Sequence, residues 1–134
     1  MTRRAVVLAL LLASACAKGP AKTWEGLVAA AGEGNLERFS EGFTEESRGL
    51  VTGLAELTTA YGVDKKNPLT LLGEGKVLRD EPAACPANVA FKECAVVTVQ
   101  QGTRERRVLF VKAGDGWKID LRALEAFWKD KANQ

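Results

Sequence analysis

Histidine is the most informative absence, since none occurs among the 134 residues. Imidazole is the usual general base of Ser-His-Asp and Cys-His catalysis and a common ligand of zinc. Beyond residue 15, serine occurs only at Ser40 and Ser47, in predicted helices without the sharp turn that presents a nucleophile. We therefore expect no catalytic residues, no metal and no cofactor, and a chain that is not an enzyme.

An apolar run long enough to cross a membrane is also missing. Residues 5–13 have only apolar side chains, and as a helix they would span about half of the ~30 Å hydrocarbon core. Arg3 and Arg4 precede this run, and Ser14, Ala15 and Cys16 follow it. This order of charge, short apolar region and small residues is typical of a secretory signal peptide. A buried core helix is the alternative interpretation.

The end of this signal, Leu-Ala-Ser-Ala-Cys at residues 12–16, resembles the lipobox of bacterial lipoproteins, although Leu12 lies one position earlier than the usual leucine. The resemblance implies that Cys16 is acylated, by chains such as palmitate, and that the signal is cut just before it. Two or three acyl chains would hold the protein on a lipid bilayer in the bacterial cell envelope. Ala17 and Lys18, instead of aspartate, follow the cysteine and favour the outer membrane over the inner one.

A basic excess is absent from the predicted mature chain. Loss of residues 1–15 removes Arg3 and Arg4 and no acid, so the 19 basic side chains become 17, equal to the 17 acidic ones. A nucleic-acid-binding domain normally shows a basic excess, so we expect no nucleic-acid partner. The predicted organisation is a signal peptide at residues 1–15, a lipidated tether at 16–22 and one domain at 23–134.

Cysteine is scarce, with three residues in the chain. If Cys16 is lipidated, Cys85 and Cys94 remain as an even pair in a chain exported to an oxidising compartment. We predict a disulfide between them, which would stabilise the fold by about 2.5 to 3 kcal/mol by closing a loop of about ten residues. Two free thiols or a redox-active pair are the alternatives.

Three helices are predicted in the N-terminal half. Thr23, Asn35 and Thr44 are cap residues that precede apolar residues at helical spacing. The apolar face predicted for the third helix comprises Leu50, Leu54, Leu57 and Tyr61.

Strands rich in valine and aromatic residues fill most of the C-terminal half, at residues 76–80, 91–100, 104–112 and 117–121. The last three are joined by connections of hairpin length. Residues 122–132 are predicted to form a closing helix. The predicted class is therefore α+β, with N-terminal helices packed on an antiparallel β-sheet meander and a C-terminal helix.

This order of elements, with Gly-Asp-Gly-Trp-Lys-Ile at residues 114–119, resembles the cystatin-like and nuclear-transport-factor-like cone folds. The resemblance covers residues 23–121, and the terminal helix departs from it. Ketosteroid-isomerase relatives of the cone fold work with aspartates and tyrosines in an apolar cavity. The resemblance thus implies an alternative function, a carboxylate-based isomerase or hydratase, with Tyr61 as a possible pocket residue.

The favoured function is a non-catalytic binding or protein-interaction domain displayed on a membrane, with an envelope protein or a second copy as partner. Arg104, Arg106 and Arg107 flank Glu105 at the start of a predicted strand. Charges at this place are expected to keep the strand soluble and protect it from edge pairing. Contact with an anion or a partner is the alternative.

Both faces of this strand are apolar further along. Val108 and Phe110 alternate with Leu109 and Val111, and helices packed on one side of the sheet cover only one of these faces. Either the C-terminal helix covers the second face, which we favour, or another chain does. The possible interaction face comprises Val108, Phe110, Leu124, Phe127 and Trp128.

Overall fold

The computed structural model describes residues 19–60, 74–114 and 116–130. The elements in chain order are α1 (Pro20–Glu33), α2 (Leu36–Ser40), α3 (Glu45–Ala60), β1 (Lys76–Ala83), β2 (Cys94–Gln101), β3 (Arg104–Ala113), β4 (Gly116–Lys118) and α4 (Leu121–Lys129). The strands form one antiparallel sheet in the order β1-β2-β3-β4. The predicted α+β class is confirmed.

The first helix begins four residues earlier than the sequence predicts. Gly19, not Thr23, holds the N-cap position, and Pro20 is the first helical residue. Proline suits this position because its φ is already helical and its missing N–H would have no partner there. Residues 20–22, predicted to belong to the tether, are therefore helical. Thr23 instead donates from Oγ1 to the carbonyl oxygen of Trp117, at 3.1 Å.

The link between α2 and α3 ties the helices to the sheet. Asn35 caps α2 as predicted, its side chain accepting from the backbone N–H of Arg38. Beyond α2, Ile119 donates its N–H to the carbonyl of Gly42 at 2.8 Å. A Cβ at Gly42 would lie 2.4 Å from Cδ2 of Leu27, so glycine allows this link to approach α1 closely.

The third helix is rotated relative to the prediction. Leu50, Leu54 and Leu57, expected to face the core, are 65%, 47% and 56% exposed. Val51 and Ala55 are buried in their place, on the face that carries Ser47. Oγ of Ser47 accepts from the backbone N–H of Leu121 at 2.9 Å. This polar contact with a distant part of the chain fits the observed orientation, which apolar spacing alone does not predict.

The core lies at the centre of the sheet. In β2, every residue from Cys94 to Val99 is buried, and α1 packs against β1, β2 and β4. Trp24 of α1 is only 2% exposed, and its indole N–H donates to the carbonyl of Gly75 at 2.8 Å. Gly75 has a φ of +131°, and a Cβ there would lie 3.0 Å from Cγ of Gln101. Glycine is therefore required where α1 meets the start of β1.

The predicted disulfide is present. Cys85 and Cys94 are joined, with their Cα atoms 5.2 Å apart. Cys94 is the first residue of β2 and lies opposite Ala83, the last residue of β1. The bond therefore joins the loop that follows β1 to the first residue of β2, the strand that pairs with β1.

The edge of β3 is covered by β4 at its end and by the last helix, α4, nearer its start. β4 pairs only with the end of β3, from Val111 to Ala113. Beyond it, the carbonyl of Arg107 accepts from the indole N–H of Trp128 in α4, at 2.7 Å. A strand edge that a helix covers is protected from pairing with another chain.

Asp120 connects this helix to α3. Its Oδ2 accepts from the N–H of Ala123, which makes it the N-cap of α4, and its Oδ1 accepts from Oγ1 of Thr44 at 2.7 Å. The sequence predicts Asp120 or a neighbour near this cap, as observed, but its alternation with Ile119 and Leu121 predicts an outward-facing carboxylate, and Asp120 is only 5% exposed. Its contacts with a helix N-terminus and a hydroxyl compensate for burial of the carboxylate.

Candidate functional site

An open depression of about 780 Å³ lies where the β2–β3 hairpin meets α4. Arginines from two strands, a single glutamate, a glutamine and one tryptophan line it: Arg79, Gln101, Arg104, Glu105, Arg106, Arg107 and Trp128. The lining carries four positive charges and one negative charge, although the predicted mature chain has equal numbers of basic and acidic residues. We call this surface the arginine depression.

A β-bulge decides which way Arg79 points. The register between β1 and β2 shifts between Val77 and Arg79, so that Arg79 lies opposite Thr98. Thr98 in turn lies opposite Arg107 of β3. Residues directly opposite in antiparallel strands share a face, so Arg79, Thr98 and Arg107 form one row, whereas Arg104 and Arg106, which alternate with Arg107 along β3, lie on the other face of the strand. The bulge inserts Leu78 between two paired residues. Without this extra residue, the side chain of Arg79 would lie on the other face of the sheet, because a shift of one residue moves each side chain to the opposite face.

Contacts with aromatic rings orient two of the arginines. The guanidinium carbon of Arg106 lies 4.7 Å from the ring centroid of Trp128, and that of Arg107 lies 5.3 Å from the ring of Phe127. Trp128 is itself held by its hydrogen bond to the Arg107 carbonyl. Stacked guanidinium groups keep edge N–H groups that can bind an anion, and their orientation before binding lowers the entropic cost of binding.

The one acid in the lining neutralises only part of the charge. Oε2 of Glu105 lies 3.7 Å from a terminal nitrogen of Arg79, and both side chains are more than half exposed. An exposed ion pair of this length contributes little energy. Arg104 and Arg106 are also exposed. The depression is therefore cationic, and guanidinium groups match the paired oxygens of phosphate and carboxylate.

Thr98 has an unusual place beneath this surface. It is 1% exposed, and among the described residues its Oγ1 is the buried side-chain atom that has no hydrogen-bond partner. Its neighbours Val96, Val97 and Val99 are all buried and apolar. A buried hydroxyl without a partner costs stability, about 1 to 3 kcal/mol.

The residues predicted as an interaction face are packed inside the molecule. Val108, Phe110, Leu124 and Phe127 are at most 7% exposed, and Trp128 is half-buried against the same core. The terminal helix that carries three of them packs on β3. Val108, Phe110 and Phe127 therefore form no open surface, while Leu124 and Trp128 keep a small exposed part along α4.

The other predicted site residues divide between described and undescribed parts of the chain. Cys85 and Cys94 form the disulfide. Cys16 and Tyr61 lie outside the described residues. Arg104, Arg106 and Arg107, noted in the sequence as charges at a strand start, are brought together with Arg79 and Trp128, which the sequence did not associate with them.

A second, smaller depression contains carboxylates. Glu45, Glu46 and Asp120 are among its lining residues, and its volume is about 580 Å³. Asp120 is engaged by Thr44 and by the start of α4, so its carboxylate has a structural role. Within the described ranges, no group of three or more histidine, cysteine or acidic side chains is placed to hold a metal ion. No helix in those ranges is long and apolar enough to cross a membrane.

Comparison with protein families, with curated proteins and with solved structures finds no match to this chain.

Proposed function

We propose that this chain is a lipid-anchored protein of the bacterial cell envelope, and that its folded domain binds an anionic partner without catalysing a reaction. The arginine depression is the observation that carries the binding proposal. It combines four arginines with one acid, and its Arg106 is stacked on an indole ring. The lipid anchor rests on the order of charge, apolar run, small residues and cysteine at residues 1–16.

Local charge supports an anionic partner over a neutral one. Because the predicted mature chain has equal numbers of acidic and basic side chains, it has little overall attraction for anions, and any attraction comes from where the charges lie. Exposed ion pairs contribute up to about 1 kcal/mol each, and at the upper end of this range each of two arginines changes the affinity by roughly three- to fivefold.

The binding proposal is tested with a phosphocellulose column, which presents immobilised phosphate esters. The mature protein in a non-ionic detergent is compared with the double variant Arg104→Gln/Arg106→Gln. The wild type should be retained and the variant should bind about tenfold or more weakly, from the product of the two exposed contacts. The salt concentration at elution measures the difference.

A second double variant provides a control with the same net charge. Arg38 and Arg122 are exposed arginines that pair with Glu33 and Glu46, and neither lines the arginine depression. Arg38→Gln/Arg122→Gln should be retained nearly as strongly as the wild type. Equal losses in the two double variants would show that net charge alone governs retention, and would refute a localised site.

The anchor is tested separately with Cys16→Ser. The thiol is the only attachment point for a lipid in the motif, so the variant should leave the detergent phase or keep its signal uncleaved. Phase partitioning and intact mass measure both properties. A Cys16→Ser protein that loses its signal and still partitions into detergent would refute the lipoprotein assignment.

A further inference from the structure

The arginine depression borders a second, apolar groove through a shared residue. Leu121, Leu124 and Trp128, together with Glu125 and Lys129, line a shallow groove of about 350 Å³ along α4. Trp128 also lines the arginine depression. One indole ring therefore separates a cationic surface from an apolar one.

This arrangement fits a ligand with an anionic head and an apolar body. Guanidinium groups bind phosphate through two parallel hydrogen bonds. The indole N–H of Trp128 is bound to the Arg107 carbonyl, so its ring offers apolar surface to the groove, and tryptophan is enriched where membrane and water meet. Lys129 at the end of α4 adds an exposed ammonium group beside the groove, although it lies 3.0 Å from Glu125.

The length of the tether points to the source of such a ligand. Only residues 17–19 lie between Cys16 and the first residue of α1, Pro20. The four Cα-to-Cα steps from Cys16 to Pro20 span about 14 Å at most when the chain is extended. If Cys16 is acylated, as the proposed function holds, the start of α1 stays within about 14 Å of the lipid headgroups, and the rest of the domain stays close to the bilayer. Binding to them is then intramolecular, and weak contacts are sufficient because the effective concentration is high.

We propose that the arginine depression and the adjoining Trp128 groove dock on anionic phospholipids of the membrane that holds the anchor. The phosphate of a headgroup binds Arg104 and Arg106, and the indole of Trp128 lies at the level of the headgroups. Docking fixes the orientation of the domain on the bilayer. This proposal rests on the proposed function, because the anchor brings the domain to the membrane.

The test uses the mature lipidated protein in nanodiscs of phosphatidylcholine alone or mixed with phosphatidylglycerol. Hydrogen exchange is measured for backbone amides of residues 101–107 and of α4. In the mixed discs these amides should exchange more slowly than in neutral discs, by about fivefold for each arginine that contacts the anionic surface. Molar salt should abolish the difference, because the screening length falls to about 3 Å.

The two double variants are measured in the same discs. Arg104→Gln/Arg106→Gln should lose the dependence on phosphatidylglycerol, whereas Arg38→Gln/Arg122→Gln should retain it. In a third condition, inorganic phosphate is added to the neutral discs. It should not slow hydrogen exchange of the hairpin amides. Exchange that is equal in the two lipid mixtures, or protection by free phosphate alone, would overturn membrane docking.

Intact mass of the protein taken from the discs separates this failure from failure of the proposed function. If the protein is lipidated and hydrogen exchange of its hairpin does not depend on the lipid composition, the docking proposal is overturned and the anchor stands. A protein that carries no acyl chains would overturn the anchor itself, and with it the premise of docking.

Discussion

The two halves of β3 differ in almost every physical respect. The first half, Arg104 to Arg107, is largely exposed and carries four consecutive charged side chains, whereas the second half begins with four buried apolar residues, Val108 to Val111. One continuous strand thus anchors the fold with one half and presents charge with the other. The folded core and the candidate binding surface are therefore separate enough to be changed independently.

The buried half should give the largest loss of stability. Phe110 is fully buried on β3, and truncation to alanine removes most of a ring that the surrounding side chains cannot replace. We expect Phe110→Ala to lower the free energy of unfolding by about 3 to 5 kcal/mol, as measured by urea denaturation. A loss below about 1 kcal/mol would mean that this half of the strand does not hold the core.

The disulfide beside the buried half should give the next largest effect. Cys94 lies opposite Val111, so the bond fastens the strand end that pairs with the apolar half. Replacing both cysteines by serine should cost about 2.5 to 3 kcal/mol, because the unfolded chain regains the freedom of a ten-residue loop. Urea denaturation of the double variant measures this cost. Unchanged stability would mean that the bond constrains nothing in the unfolded chain.

Trp128 lies at the boundary between the two halves. Its indole N–H binds the carbonyl of Arg107, the last residue of the charged half. Trp128→Phe keeps an aromatic ring and removes the donor, so we expect a loss of about 1 to 2 kcal/mol from the unpaired carbonyl. Hydrogen exchange should also rise at the edge of β3. A variant as stable and as protected as the wild type would show that the hydrogen bond does not hold α4 to this edge.

Thr98 should give a smaller change of opposite sign. Its hydroxyl is buried without a partner in the middle of β2, between valines. Thr98→Val keeps the shape and removes the cost of burying the hydroxyl, so the free energy of unfolding should rise by about 1 kcal/mol. The midpoint of thermal unfolding checks this. A fall in stability would show that the hydroxyl has a favourable role in the folded protein.

The sequence predicted the features that depend on neighbours along the chain. Asn35 as a helix cap and β3 as a strand follow from local patterns, and the pairing of Cys85 with Cys94 follows from their even number and predicted export. The start of α1 is also a local feature, because proline is typical of a first helical position, but the prediction placed the cap at Thr23 and residues 20–22 in the tether.

The features that the sequence missed depend on contacts between distant residues. Ser47 contacts the backbone of Leu121 across 74 positions, and no apolar spacing within α3 predicts which face that contact will turn inward. The bulge before Arg79 likewise decides that this arginine shares a face with Arg107. A cluster that draws on β1, β3 and α4 becomes visible only when the register of the sheet is known.

Stability and binding, measured on the same protein, separate the two halves of β3. Arg104→Gln/Arg106→Gln removes two charges from the exposed half of β3 and one stacking contact with Trp128. We expect the free energy of unfolding to change by less than about 1 kcal/mol, while retention on phosphocellulose falls by about tenfold or more. Full retention with unchanged stability, or a loss of retention that only follows unfolding, would contradict the division of β3 into a folding half and a binding half.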